Sequence, residues 1–276
     1  MCPPEHFTIS YAINAWMDPS VPVDTELAVK QWERLRETLT GLGHTVYVLP
    51  AVPGLPDQVY AANGAFSIDG TVYGARFRYP QRTAEAAEHR AFYERTFSER
   101  TFSGHTGCHH TEWHYVEASH TNEGEGDFTY LPGPGLILAG YGFRTEPVAH
   151  AEAQEVLGRP VVSLRLVDPR FYHLDTALAP LDDETIAYYP GAFSASSQRV
   201  LEQLFPDAVR ATEEDALAFG LNLVSDGRHV LLPVEASAMA HRLSVAGYRP
   251  VPIELGELKK GGGSVKCCVA ELRPAA

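Results

Sequence analysis

Two adjacent cysteines, Cys267 and Cys268, follow a run of three glycines in the segment KKGGGSVKCCVAEL. Glycine allows the backbone to adopt positive φ and to approach a ligand closely, so a cysteine behind such a run can face a pocket at the start of a strand. Lys266 precedes the pair, and a nearby ammonium group would lower the pKa of a thiol and favour the nucleophilic thiolate. The segment therefore predicts a nucleophilic cysteine. The alternative is a glycine turn before a terminal strand in which the cysteines pack.

A histidine and a carboxylate with the spacing His-x-Asp occur in the segment FYHLDTALAPL. His173 and Asp175 lie on the same side if this segment is extended, directly before an apolar run. A cysteine and a histidine are the minimal nucleophile and acid/base pair, and an adjacent carboxylate either orients the imidazole or binds a cationic substrate. These residue types therefore favour covalent catalysis, provided that the fold brings them together.

Acidic and amide side chains occupy two further junctions between turns and strands. The segment HTNEGEGDF places Glu123, Glu125 and Asp127 between glycines, and LPDQVYAANGAF places Asp57 and Asn63 in a similar junction. Carboxylates in such positions neither cap a helix nor lie on an exposed helix face. They are therefore further candidates for the functional site.

Short strands are the first kind of element that would position these residues. Strand-length runs rich in Val, Ile, Leu or Tyr recur along the chain as HTVYVLP, GAFSIDGTVYGARF, GLILAGYGF, PVVSLRLV, TIAYYPGAF, HVLLPV and YRPVPIEL. The segment KCCVAEL at the C-terminal end has the same character.

Helices alternate with these strands. Residues 24–43 predict a helix that ends at its glycines and has an apolar stripe of Ala28, Trp32, Leu35 and Leu39. Residues 146–158, 194–206 and 235–248 predict three more helices. Because no long linker interrupts the alternation, we expect one α/β domain over residues 1–276 with a small internal repeat.

Composition narrows the class of protein. The chain has 276 residues and a net charge of -13 at pH 7 without a clustered basic face, so neither nucleic acid nor an anionic membrane is an expected partner. No apolar run has the length of a membrane span, and no secretory signal pattern begins the sequence. Four cysteines, two of them adjacent, fit reduced thiols, so a cytoplasmic location is expected.

The ordered set of motifs resembles the guanidine-modifying superfamily of arginine deiminases, dimethylarginine dimethylaminohydrolases and amidinotransferases. The motifs that carry the resemblance span nearly the whole chain in this order: YAINAWM, LPDQVYAAN, RFRYPQR, NEGEGD, GFRT, HLD and GGGSVKC. The resemblance implies a five-bladed, pseudo-symmetric α/β propeller, formed by a single domain, with the site in its central channel.

The resemblance also implies catalytic roles. Cys267 matches the nucleophile, whereas Cys268 falls where other members carry an apolar residue. His173 matches the general acid/base. Glu123 matches the carboxylate that orients the site near the histidine, although the spacing EGEGD leaves Glu125 as an alternative.

Substrate-binding roles follow from the same comparison, and the residues concerned are Asn14, Asp57, Asn63, Arg82, Asp127, Arg144 and Asp175. The resemblance implies that Asp175 binds the guanidinium and that Asp57 contacts the substrate. It implies that the two arginines bind the substrate's α-carboxylate and that Asp127 supports the site. Asn63 stands where arginine deiminases and dimethylarginine hydrolases carry a carboxylate. At this asparagine, and in the segment INAWM that contains Asn14, the sequence is similar to the cyanobacterial arginine dihydrolases.

The resemblance implies a cofactor-free cysteine hydrolase with a small-molecule substrate. It would attack the guanidino carbon of arginine or a close derivative, giving citrulline and, if the ureido product is processed again, ornithine. Hydrolysis of dimethylarginine to citrulline and dimethylamine is one alternative, and transfer of the amidino group to an amine is another. A non-catalytic arginine-binding protein is the alternative from a different class.

A histidine-rich segment within an expected insertion around residues 96–120 offers the main competing interpretation. Its candidate ligands are His105, Cys108, His109, His110, His114 and His120, of which His110 and His114 would share a helix face. The segment lacks the spacing of a known zinc module, so a loop is the favoured interpretation and no metal is expected.

Overall fold

The computed structural model describes residues 1–98 and 113–275, so the segment from His105 to His110 lies outside the described residues. The helices are α1 (Thr25–Gly41), α2 (Glu85–Ser98), α3 (Pro147–Leu157), α4 (Ala195–Leu204), α5 (Glu213–Leu217), α6 (Ser237–Val245) and α7 (Gly256–Lys259). The strands are β1 (Ala65–Ile68), β2 (Thr71–Gly74), β3 (His114–Val116), β4 (Phe128–Leu131), β5 (Leu136–Tyr141), β6 (Val161–Arg165), β7 (Leu178–Pro180), β8 (Ile186–Tyr188), β9 (Val209–Arg210), β10 (Val224–Ser225), β11 (His229–Pro233) and β12 (Arg249–Ile253).

Helix α1 forms as its sequence predicts. The side chain of Asp24 accepts a hydrogen bond from the backbone N–H of Leu27 and caps the first turn. The predicted stripe is buried and packs beside α7 and β12. The chain then leaves the helix through Gly43, whose φ of +96° is costly for other residues.

Within the described residues, the strands form four three-stranded sheets of one connectivity, which are β1-β2-β3, β4-β5-β6, β7-β8-β9 and β10-β11-β12. In each sheet the first two strands are an antiparallel hairpin, and the third strand is parallel to the second. A parallel strand needs a long crossover connection, which helices provide in these repeats. The α/β class and the internal repeat predicted from the sequence are both present.

Most predicted strands form, but two do not. No strand is assigned to residues 44–50 or to residues 266–272. Backbone groups of both segments are nevertheless paired, since Leu49 N–H donates to the carbonyl of Met1 and Ala62 N–H to that of Cys267. These contacts are too few to make a ladder, which explains why the apolar pattern predicted more strand than the backbone forms.

Short 3₁₀ turns lie directly before the first strand of three sheets, at Ala61–Gly64, Gly124–Gly126 and Leu174–Thr176. The first turn contacts the second, and the second contacts the third. The candidate residues Asn63, Glu123 and Asp175 lie in or next to these turns. The repeat therefore gathers side chains from distant parts of the sequence.

The zinc interpretation of His110 and His114 requires both residues on one helix. His114 instead begins strand β3, so that part of the interpretation is wrong. Across the described ranges, no helix is both long and apolar enough to cross a membrane. The cytoplasmic location stays a prediction.

Gly124 tests how rigid the second turn is. Its φ is +51°, and an added Cβ would come within 2.6 Å of Ala65 O and 2.7 Å of Ala65 N, which are backbone atoms that cannot move independently. Gly124→Ala should lower the free energy of unfolding by about 3 kcal/mol, because it combines positive-φ strain with a backbone clash. Urea denaturation measures this change.

Gly135→Ala is the matched control, since Gly135 has φ +65° but nothing within 4 Å of the added Cβ. It should lose only about 1 kcal/mol. Equal losses in the two variants would contradict the close packing of the turn.

Candidate active site

Cys267 is buried, and its sulfur is hydrogen-bonded to two polar side chains. The thiol donates to Asp175 Oδ2 at 3.2 Å, and the amide of Asn222 donates to the sulfur at 3.1 Å. Burial, followed by the charge of Asp175, raises the pKa of the thiol well above its ordinary value. Burial also raises the pKa of Asp175 to about 7, against the opposing charge of Lys266. The resting Cys267 is therefore a protonated thiol beside a carboxyl group whose pKa lies near neutrality.

The three glycines before Cys267 are required by close packing. A Cβ on Gly261 or Gly263 would overlap the side chain of Tyr60, at 2.2 and 2.4 Å. Gly262 has φ +87°, and a Cβ there would lie 2.7 Å from the side chain of Asn14. The run lets the backbone pass beneath these side chains and brings Cys267 to the site.

Lys266 does not activate Cys267, so the expectation from the sequence is wrong. Its ammonium group donates to Glu125 and to the carbonyl of Val269, and Glu125 also binds Arg273 at 2.7 Å. Burial lowers the pKa of Lys266, but Glu125 and Glu271 together outweigh burial and the net pKa is raised. Lys266 and Glu125 therefore hold the C-terminal segment in place.

His173 pairs with Glu123. The imidazole Nε2 lies 2.8 Å from Glu123 Oε2, and Arg144 donates to the same oxygen at 2.7 Å. Burial would raise the pKa of Glu123, but Arg144 and then His173 hold it well below the ordinary value. An ionised Glu123 accepts a hydrogen bond from Nε2–H of His173. Nδ1 of the same ring is then available for proton exchange. This Nδ1 has no partner within the described part of the chain.

The two arginines predicted to hold the substrate's α-carboxylate are buried against carboxylates of the protein. Arg82 binds Glu85 through two nitrogens, at 2.9 and 2.7 Å, and donates to Asn63 Oδ1 at 2.7 Å. Arg144 binds Glu123 and the carbonyl of Ile13, and the rings of Tyr79 and Tyr172 lie 4.7 Å from its guanidinium carbon. Their role in substrate binding stays a prediction.

The remaining candidates lie around this centre. Asp57 accepts from Tyr11 at 2.9 Å, and burial raises its pKa against the opposing charge of Arg82. Asp127 accepts from the backbone N–H of Leu174 at 3.0 Å, which supports the turn that carries His173, and burial raises its pKa to about 6. Asn14 donates to the carbonyl of Gly261 at 3.1 Å and so touches the loop before Cys267.

Asn222 is a residue of the candidate site that the sequence analysis missed. It is fully buried and touches both Cys267 and the backbone of Asp175. A single asparagine in GLNLVS matches no motif. The available signal is positional, because Asn222 stands just before the first strand of its sheet, as Asn63 does in another sheet.

Comparison with known proteins identifies the family. A family profile described as N,N dimethylarginine dimethylhydrolase, eukaryotic, matches residues 3–274. A Mycobacterium tuberculosis protein named N(G),N(G)-dimethylarginine dimethylaminohydrolase is 51% identical over 274 residues, which cover 99% of this chain and 85% of that protein. The chain belongs to the dimethylarginine dimethylaminohydrolase family. The resemblance inferred from the motifs is confirmed, and this dimethylarginine dimethylaminohydrolase family member is a hydrolase that acts on guanidino groups.

Arginine dihydrolases are also similar to this member of the dimethylarginine dimethylaminohydrolase family. ArgZ of Synechocystis, a bifunctional arginine dihydrolase/ornithine cyclodeaminase, is 34% identical over 97% of this chain, which corresponds to 36% of ArgZ. The substrate-bound N-terminal domain of ArgZ, as a cysteine-to-serine variant, has a TM-score of 0.89 at 31% identity and covers 100% of this chain and 98% of that domain. A dimethylarginine dimethylaminohydrolase adduct at 18% identity has a TM-score of 0.73 and shares the fold.

Glu123→Gln tests which carboxylate serves His173. An amide cannot stabilise an imidazolium as a carboxylate does, so kcat should fall about 100- to 1000-fold. Steady-state kinetics with arginine or a methylated arginine measure this effect.

Glu125→Gln is the comparison variant, because its carboxylate binds Lys266 and Arg273 instead of the histidine. It should lower the thermal midpoint of unfolding and leave the folded fraction with a much larger kcat than Glu123→Gln. The reverse ranking of the two kcat values would assign the histidine partner to Glu125.

Proposed function

We propose that this chain hydrolyses the guanidino group of arginine through a covalent Cys267 adduct and then processes the ureido product to ornithine. The orientation of Asn63 carries this proposal. Arg82 donates to Asn63 Oδ1 at 2.7 Å, and because a guanidinium can only donate, the amide oxygen must face Arg82. The amide nitrogen faces the other way, and no described residue accepts from it.

An amide donor distinguishes the two groups that such an enzyme would bind. A guanidinium carries only N–H donors, whereas a ureido group has a carbonyl oxygen that can accept from Asn63. Asn63 lies beside His173, the proposed acid/base, because both side chains contact Gly126. A Cβ added to Gly126 would lie 2.5 Å from Asn63 Nδ2 and 3.1 Å from His173 Nδ1. This geometry supports binding of a ureido oxygen next to His173.

In the first half-reaction, ionised Asp175 holds the guanidinium and Cys267 attacks its central carbon. The thiol proton passes to His173 as the C–S bond forms. The bond from carbon to a terminal nitrogen then breaks, and His173 returns the proton to the departing ammonia. A thiouronium adduct remains on Cys267.

In the second half-reaction, a water molecule attacks the adduct. His173 takes one proton from the water as the C–O bond forms; the C–S bond then breaks, its electron pair and the remaining hydroxyl proton go to sulfur, and citrulline is released. The same sequence on the ureido group expels ammonia and leaves an S-carbamoyl adduct. Its hydrolysis gives a carbamate, which separates into ornithine and carbon dioxide.

Dimethylarginine is the second candidate substrate, favoured by the 51% identity to the mycobacterial protein named as its hydrolase. The covalent chemistry would be the same, with dimethylamine as the first leaving group. The two candidates therefore differ in what the site accepts around the terminal nitrogens.

The architecture that would support this site is a single domain over residues 1–276 with five repeated units. The four sheets supply four units. We propose that residues 265–269, residues 1–9, α1 and residues 45–49 form the fifth. Met1 donates to the carbonyl of Tyr47 and accepts from Leu49 N–H, which is the pattern of a parallel pair and matches the third strand of the other units.

Product analysis tests the substrate assignment. Mass spectrometry after separate incubation with arginine, citrulline and asymmetric dimethylarginine should find ornithine from the first two. Asn63→Asp should stop at citrulline, because a carboxylate cannot donate to the ureido oxygen and binds the guanidinium well.

Two other results would reject the dihydrolase. Citrulline and dimethylamine from the methylated substrate alone would establish the second candidate. Absence of any product would favour an amidinotransferase that needs an amine acceptor, or an arginine-binding protein. Cys267→Ser is the control for non-enzymatic turnover.

The pH dependence tests the role of Asp175, whose pKa of about 7 is raised by burial. Below this pH the carboxyl is protonated and cannot pair with a cation, so kcat/KM for arginine should fall about tenfold per unit as the pH drops below about 7. In Asp175→Asn, kcat/KM should be low throughout and lose this break. A break that persists in the variant would assign the titration to another group.

A further inference from the structure

Asn222 contacts the nucleophile and the loop that carries it. Its side chain is fully buried, and Nδ2 donates to Cys267 Sγ at 3.1 Å and to the carbonyl of Asp175 at 3.2 Å. Its Oδ1 accepts from the backbone N–H of Ser264 at 3.1 Å and of Cys267 at 3.2 Å. One contact reaches the sulfur itself, and the other three, to backbone groups on either side of it, hold the amide in place.

The orientation of this amide is determined by its partners. Two backbone N–H groups face one terminal atom of Asn222, so that atom must be the oxygen. A carbonyl oxygen and a sulfur face the other terminal atom, which must be the nitrogen. The N–H therefore has a fixed direction toward Cys267.

Among the other surroundings of the sulfur, a backbone hydrogen bond from Ser264 favours the thiolate, whereas burial and Asp175 oppose ionisation, so a second donor assists it. Burial and the neighbouring charge of Asp175 both disfavour the thiolate. Asp175 accepts the thiol proton, so this contact favours the neutral thiol. A hydrogen bond donated to the sulfur favours its charged form, and Asn222 supplies one.

We propose that Asn222 is a catalytic residue that stabilises the thiolate of Cys267 by donating a hydrogen bond to Sγ. This proposal rests on Cys267 being the nucleophile of the proposed function. The N–H acts while the thiolate attacks carbon, and it acts again when the C–S bond of the adduct breaks and the electron pair returns to sulfur. The second action assists release of every product.

Alkylation of Cys267 by iodoacetamide tests this role without any substrate, with the labelled residue identified by mass spectrometry. Asn222→Ala removes the donor, so alkylation between about pH 7 and 9 should be about 10- to 100-fold slower than in the wild type. Asn222→Asp keeps an oxygen for the two backbone N–H groups but loses the donor and adds a charge, so it should be slowed at least as much.

Ser264→Ala is the matched control. It lies in the same loop, its backbone N–H still reaches Asn222, and its hydroxyl has no hydrogen-bond partner among residues 1–98 and 113–275. Its alkylation rate should equal that of the wild type. Circular dichroism and the thermal midpoint verify the fold of each variant.

A wild-type alkylation rate in a folded Asn222→Ala or Asn222→Asp variant would overturn the proposal, even if turnover were lost, because Asn222 would then only position the loop. Slower alkylation in both variants supports it. Failure of the proposed function is separate, since it would show as absence of product from the wild-type protein whatever the alkylation rates.

Discussion

The contact between Cys267 and Asp175 is the constraint on which the rest of the site depends. A thiolate and a carboxylate 3.2 Å apart and removed from water would repel each other strongly, so the resting site keeps a proton between them. A guanidinium changes this balance, because its positive charge offsets one of the two negative charges. A cation bound beside Asp175 would therefore favour ionisation of the Cys267 thiol.

The three buried glutamates near the site pair with cationic side chains. Glu123 pairs with Arg144, Glu85 with Arg82, and Glu125 with Lys266 and Arg273. Asp175 Oδ1, like Asp57 Oδ1 and Asp127 Oδ2, has no hydrogen-bond partner in the described ranges of the chain. These pairings leave the aspartates, and not the three glutamates, with an oxygen available to a cationic ligand. They also leave Asp175 with a pKa near neutrality while the pKa of Glu123 is held low.

The sequence predicted the residues that belong to motifs and failed where the answer depended on three-dimensional pairing. Glycines before a cysteine and the His-x-Asp spacing made Cys267 and His173 candidates, and the family resemblance implied their roles, which stay predictions. Glu123 and Glu125 could not be separated, since both are acidic neighbours of glycine in one turn. Only their partners, His173 for one and Lys266 for the other, distinguish them. Asn222 was missed because the contacts that give it a proposed function are to Cys267 and Asp175, which are 45 and 47 positions away in the sequence.

The fold was predicted to a similar degree. Helix α1 was predicted from a periodic apolar stripe that lies within the helix itself, and the helix forms as expected. Residues 44–50 and 266–272 have apolar patterns typical of strands, yet each meets its neighbour through only a few backbone groups. Strand formation depends on a partner distant in sequence, and a local pattern carries no information about that partner.

The attachment of the C-terminal segment affects the order in which the site is completed. Arg273 bonds to Ser67 across a separation of 206 residues, and Gly70 N–H donates to the carbonyl of Arg273. Contacts with such separation have a large loop-closure entropy and cannot form until the segment around Arg273 has been synthesised. A growing chain that stops before this segment would hold His173, Glu123 and Asp175 but not Cys267, so the candidate site is completed only after these contacts close.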